Sequence, residues 1–144
     1  MIRHKRPDQK NALSILEAAE SEMKFTLTIK PSEQAGSTII RNIYECYRMV
    51  GDALLVSKGI ESDDHVTPIK EITQLKVQTT RPLQVIDNLR RLRHNINYYG
   101  YKPKIEEVKD TISIAKATFE PILKEIKKEV TQKITLEKDK NEEK

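Results

Sequence analysis

Ile105, Val108, Ile112, Ala115, Phe119, Ile122 and Ile126 follow one another at steps of three or four residues. Ala35, Ile39, Ile43, Cys46, Val50 and Leu54 do the same. A strand puts every second residue on one face, so this spacing excludes it; a helix of 3.6 residues per turn gathers each set into one stripe. The remaining positions are mostly charged or polar, and the chain is 33% Asp, Glu, Lys and Arg. Long helices with one apolar stripe each bury it against other helices. The expected fold is therefore all-α: an antiparallel four-helix-type bundle with an additional short helix and no strand. Its 144 residues suffice for one domain.

The punctuation divides the chain further. Residues 1–7 read as a basic N-terminal arm. Asp8 caps a first helix to about Leu27, with Leu13, Leu16, Met23 and Leu27 inward. Ser32 caps a second, from Glu33 to Lys58, which Gly59 ends. Gly36 and Gly51 on this helix invite close approach of another backbone. Tyr44, Tyr47 and Arg48 lie off its main stripe, at its boundary or facing a second groove or a subunit partner. Asp64 caps a short helix from His65 to about Leu75 with Pro68 in its first turn, and Gln78-Thr79-Thr80 form a loop. A fourth helix runs from Arg81 to Tyr99, and a fifth starts near Ile105 and kinks at Pro121. The single domain spans 8–135; residues 136–144 form a charged, disordered tail.

One stretch has chemistry found nowhere else in the chain: Leu89-Arg90-Arg91-Leu92-Arg93-His94-Asn95-Ile96-Asn97-Tyr98-Tyr99-Gly100-Tyr101. On a helical wheel Leu89, Leu92, Ile96 and Tyr99 share the inner side. Arg93 and Asn97 stand at its border one turn apart, and Arg90 and His94 continue the polar face. Between Arg81 and Lys104 there are six Lys or Arg and one acid, Asp87. The net charge of +4 is thus concentrated here, and the rest of the chain is close to neutral. Arginine offers two parallel donors to a phosphate, and tyrosine a flat face on which a base can stack.

Other features narrow the setting. The one cysteine, Cys46, allows no intrachain disulfide and suits a reducing, cytoplasmic location. No apolar run follows the basic arm or reaches membrane-spanning length. Asp63, Asp64 and His65 are adjacent, which is poor geometry for one metal ion, and Asp64 is better read as a cap. No metal and no cofactor is expected.

Three features and their order resemble a known family. Ala53-Leu54-Leu55-Val56-Ser57-Lys58-Gly59-Ile60, followed by an acidic turn and His65, is similar to the end of the second long helix of HEPN domains (higher eukaryotes and prokaryotes nucleotide-binding). Arg90 to Tyr101 is similar to the signature helix end of that family, and the long helix from Lys104 to its last element. The likeness spans roughly Ser32 to Val130. It implies an all-α bundle, commonly a homodimer with the signature helices near the interface. It also implies either metal-independent ribonuclease activity or partnership with a minimal nucleotidyltransferase, as in toxin–antitoxin pairs. Active members separate a motif Arg from His by four to six intervening residues, the Arg holding phosphate and the His working on the 2′-hydroxyl. Here the window beyond Arg93 reaches Tyr98, Tyr99 and Gly100, and His94 falls one short of the window from Arg90.

The leading expectation is a HEPN-type module without standard catalysis. It would bind a nucleotide, RNA or a nucleotidyltransferase through Arg90, Arg93, His94, Asn97 and Tyr98. A ribonuclease would instead have to draw on Arg90, Arg93 and His94, and a structural or assembly protein would use the basic helix only to meet acids of a partner.

Overall fold

The Asp8 carboxylate accepts the Asn11 N–H at 3.0 Å and starts α1 (Gln9–Thr26). Ser32 accepts the Ala35 N–H at 3.0 Å and starts α2 (Glu33–Ser57), which ends at Gly59 with φ of 75°. Both helices begin where a short polar side chain can satisfy an otherwise orphaned N–H. The computed structural model describes residues 2–142, with side-chain surroundings through residue 132. Its helices form an all-α bundle, as the periodicity requires.

Helix α2 is the middle of the fold. Its buried residues include Ile39, Ile40, Ile43, Tyr44, Tyr47, Val50, Leu54 and Leu55, which occupy more than one face. It packs against α1, α3 (Val66–Thr73), α4 (Val85–Tyr99) and α5 (Ile105–Glu142). Tyr44 and Tyr47 are therefore core residues and not boundary positions, each fully buried. The Tyr47 hydroxyl meets Thr118 Oγ1 at 2.6 Å on α5, which removes the cost of burying it unpaired. Its ring stands edge-on to Phe119.

Three expectations change. A strand exists: β1 (Ile2–His4) pairs antiparallel with β2 (Ile60–Ser62). Three exposed residues give no alternation to read, and the pairing is anchored instead by the Lys5 N–H donating to the Gly59 carbonyl at 2.6 Å. Helix α4 begins at Val85, four residues later than Arg81. Pro82 disfavours helical backbone at the residue before it, and the entry is built from tighter bonds such as Ile86 N–H to the Leu83 carbonyl. Helix α3 ends at Thr73, leaving 74–84 as a longer connection than the loop expected at Gln78-Thr79-Thr80. Asp64 nevertheless does cap, accepting the Thr67 N–H at 2.7 Å. Leu13 and Leu27 are half-buried, while Ala12 and Ala19 join Leu16 and Met23 in the core.

Helix α5 passes through Pro121 and continues to Glu142. All side chains of the tail expected at 136–144 lie outside the described residues. Among the described residues no helix is long and apolar enough to cross a membrane.

Gly51 makes the closest approach. A Cβ built there would lie 2.2 Å from the Pro68 carbonyl oxygen, so α2 and α3 touch backbone to backbone. Gly51→Ala gains helix propensity of about 1 kcal/mol but must push α3 away. We expect a net loss of roughly 1–3 kcal/mol, seen as a lower urea midpoint, as for other overpacked interiors.

Candidate nucleic-acid interface

Helix α4 is held by few apolar side chains: Ile86, Leu89 and Ile96 are buried, with Val85 and Leu92 half-buried. On the wheel, Arg93 falls between Ile86 and Leu89, so its stem starts on the buried side of the helix. Its guanidinium lies over the ring of Tyr44, 5.5 Å from the centroid. A cation over an aromatic face is attracted to the ring's negative π surface. Among the described residues Arg93 makes no ion pair with a carboxylate. It is a half-buried, oriented and unpaired cation.

Its neighbours differ. Arg90 bonds to Asp87 on its own helix at 3.2 Å. Arg91 is exposed. His94 and Asn97 are exposed, and the His94 ring rests against Tyr98 and Tyr99, with centroids 4.7 and 5.7 Å away. Tyr98 and Tyr99 are 68% and 76% exposed. Tyr99 thus leaves the inner side that the wheel gave it: it sits in the last turn of α4, past Ile96, where no other helix covers that face. Tyr101 is otherwise engaged, its hydroxyl donating to Glu107 Oε1 at 2.5 Å. The helix ends because Gly100 takes a left-handed φ of 63°, and its N–H and that of Tyr101 both reach the Asn95 carbonyl.

Of the five residues expected to bind, the fold therefore makes two groups. Arg93 faces inward over Tyr44. His94, Asn97 and Tyr98 line the outside, and Arg90 is tied to Asp87 between them. A cleft of about 240 Å³ opens on another side of α4, lined by Val85, Asn88, Leu89, Leu92 and Ile114.

The inward group contains residues that the sequence did not assign to the site. Arg48 on α2 pairs with Glu45 at 3.2 Å, while its Nε is buried without a hydrogen bond, 3.7 Å from Asp52 Oδ2. That distance is too long for a hydrogen bond. Burial consequently outweighs the attraction of Arg48 and, helped by Glu45 and Asp64, pushes the Asp52 carboxyl up to about 6. His65, half-buried at the start of α3, places Nδ1 3.5 Å from the Tyr44 hydroxyl. Burial first, then Arg48 and Arg93, lower the basicity of His65, so it is neutral at pH 7. Burial holds the Tyr44 phenol above its ordinary range against the pull of Arg93, Arg48 and Arg90. Among the described residues no three His, Cys, Asp or Glu side chains converge as a metal set.

The Asp52 shift has a definite sign. Its folded-state affinity for a proton exceeds that of the unfolded chain, so the folded state binds more protons between pH 3.8 and about 6. This group's contribution to stability declines as pH rises through that window and reaches its least favourable value above it. In Asp52→Asn the contribution is absent. The melting-temperature advantage of wild type over the variant should be largest at pH 4 and shrink by pH 7, as scanning calorimetry across that range would show.

No family model, no curated protein and no solved structure matches this chain.

Proposed function

We propose that the chain is a HEPN-type module that binds single-stranded RNA along α4 and does not cleave it with that helix. The observation that carries the reading is the combination at the end of α4. An oriented, unpaired Arg93 lies five and six residues before two tyrosines that are 68% and 76% exposed. Exposed aromatic faces next to cations suit splayed bases and their phosphates better than a duplex, whose bases are already stacked. The local positive charge from Arg81 to Lys104 would draw the polyanion in.

A ribonuclease built on Arg90 and His94 has less support. Arg90 is occupied by Asp87, and among the described residues the His94 imidazole packs on Tyr98 and Tyr99 with no carboxylate to orient it. The position five residues beyond Arg93 is Tyr98, and a phenol is a poorer general base than an imidazole.

Fluorescence anisotropy with a labelled oligouridylate tests the reading. Wild type should bind, more tightly than it binds a duplex of equal length. Tyr98→Ala and Tyr99→Ala should each weaken binding roughly tenfold, within the ~1–3 kcal/mol typical of a stacked base. Arg91→Ala should reduce the salt dependence by about one released counterion. Undiminished binding in the double tyrosine variant would sink the assignment. No binding by wild type would turn attention to a protein partner, a minimal nucleotidyltransferase first.

A further inference from the structure

We propose that His65 is a phosphate-binding residue which, with Arg93, holds one phosphate group where α2, α4 and the turn that starts α3 meet. The inference rests on the reading of α4 as an RNA-binding helix, since it supplies the place where one backbone phosphate of that strand is fixed.

Geometry carries it first. Three elements bring their polar side chains around a single buried ring, that of Tyr44. Arg93 comes from α4 and lies over the ring. His65 comes from the turn before α3 and reaches the hydroxyl. Arg48 comes from α2, one turn along from Tyr44, with its guanidinium on Glu45 and its buried Nε facing Asp52, and it adds positive charge beside the ring. Tyr44 is fully buried and so positions the others without touching a ligand.

Phosphate binding selects one tautomer at the same contact. With the Tyr44 O–H as donor and His65 Nδ1 as acceptor, the neutral imidazole carries its proton on Nε2. The Nε2–H is left to donate to an anion. Arg93, which has no carboxylate of its own, supplies the compensating charge. Burial first, then the two arginines, keep the free histidine neutral, and an arriving phosphate offsets the arginines' repulsion.

Phosphate binding should then be linked to proton uptake. The groups facing His65 are Tyr44, Glu45 and Arg48 from α2, Arg93 from α4, and Asp64 from its own turn. The two arginines oppose its protonation, and the two acids favour it. A phosphate between His65 and Arg93 adds negative charge, so the bound imidazole holds a proton to higher pH than the free one. By linkage, affinity rises as pH falls. Asp52 titrates at about 6 beside Arg48 and would act in the same direction by releasing that arginine, so its contribution must be separated.

Two measurements test this. In the first, the imidazole resonances of the three histidines are recorded while inorganic phosphate is added to the wild-type chain, with His65→Gln identifying the His65 signal. The His65 signal should shift and its titration midpoint rise, while those of His4 and His94 move less. In the second, the affinity for a 5′-hydroxyl oligouridylate and its 5′-phosphorylated form is measured from pH 8 to pH 6 at constant ionic strength. Wild type and Asp52→Asn should gain roughly threefold to tenfold, a change of up to about one linked proton, and His65→Gln should lose most of that gain. Dependence on His65 for both oligonucleotides assigns an internal diester; dependence for the phosphorylated one alone assigns a terminal monoester.

An unmoved His65 resonance, together with the full pH dependence in His65→Gln, overturns the proposal while leaving the tyrosine strip intact. A pH dependence lost in Asp52→Asn but kept in His65→Gln overturns it in favour of Asp52. A shifted resonance without any oligonucleotide binding by wild type supports the phosphate site and refutes the RNA reading of α4.

Discussion

Burial of α2 on several sides is the constraint from which the other features follow. A helix surrounded in this way cannot hide charge, so its long polar side chains emerge where neighbours leave gaps. Arg48 and Asp52 occupy such a gap, each about one-third exposed. Gly51 lies between them in sequence and admits the Pro68 backbone, which fixes the start of α3 against α2. That contact carries His65 to the Tyr44 hydroxyl. Tyr47, three residues on, ties the same helix to α5 through Thr118. The two tyrosines thus link α2 to different parts of the bundle, one through a satisfied interior hydrogen bond and the other through a longer contact at its edge.

The electrostatics follow from incomplete pairing. Exposed pairs such as Lys5–Glu61 and Arg81–Asp110 contribute little, because water already solvates both partners. The Arg48–Asp52 pair differs: it is withdrawn from water but not closed by a hydrogen bond. Withdrawing charges costs free energy that only good geometry returns. Here the geometry is poor, and Asp52 responds by becoming a weaker acid. Such a pair adds little to folding, whereas the charge of Arg48 still reaches Tyr44 and His65.

Much of the helical architecture was legible because it is periodic. The stripes around Ile39–Leu54 and Ile105–Ile126 place their helices with little ambiguity, and Asp8, Ser32, Gly59 and Gly100 mark boundaries by local chemistry that needs no tertiary context. Elements depending on distant partners were not legible. β1 has three exposed residues and forms because β2 lies beside it. Pro82 was passed over as a helix stop because the apolar pattern continues on both sides of it. At the site, Arg90 to Tyr98 stood out by composition alone. His65 did not: 28 residues separate it from Arg93, and in the sequence it belongs to an acidic turn. The available signal was Tyr44, an aromatic residue beside the apolar stripe of α2, but spacing cannot say that its hydroxyl points toward the turn before α3.

The division of labour on α4 argues for binding over scaffolding. Folding uses Ile86, Leu89 and Ile96, which face the bundle and are buried. His94, Tyr98 and Tyr99 contribute nothing to that face, yet they keep large ring surfaces in water. Exposed aromatic area is a liability for solubility, and a helix needing only a solvated face would be served by Lys and Glu. Arg93 and Tyr44 belong to both sets, since the ring that seats the guanidinium is also part of the core. A substitution at either would disturb packing and binding together. The outer tyrosines and His65 are the positions where the two can be told apart.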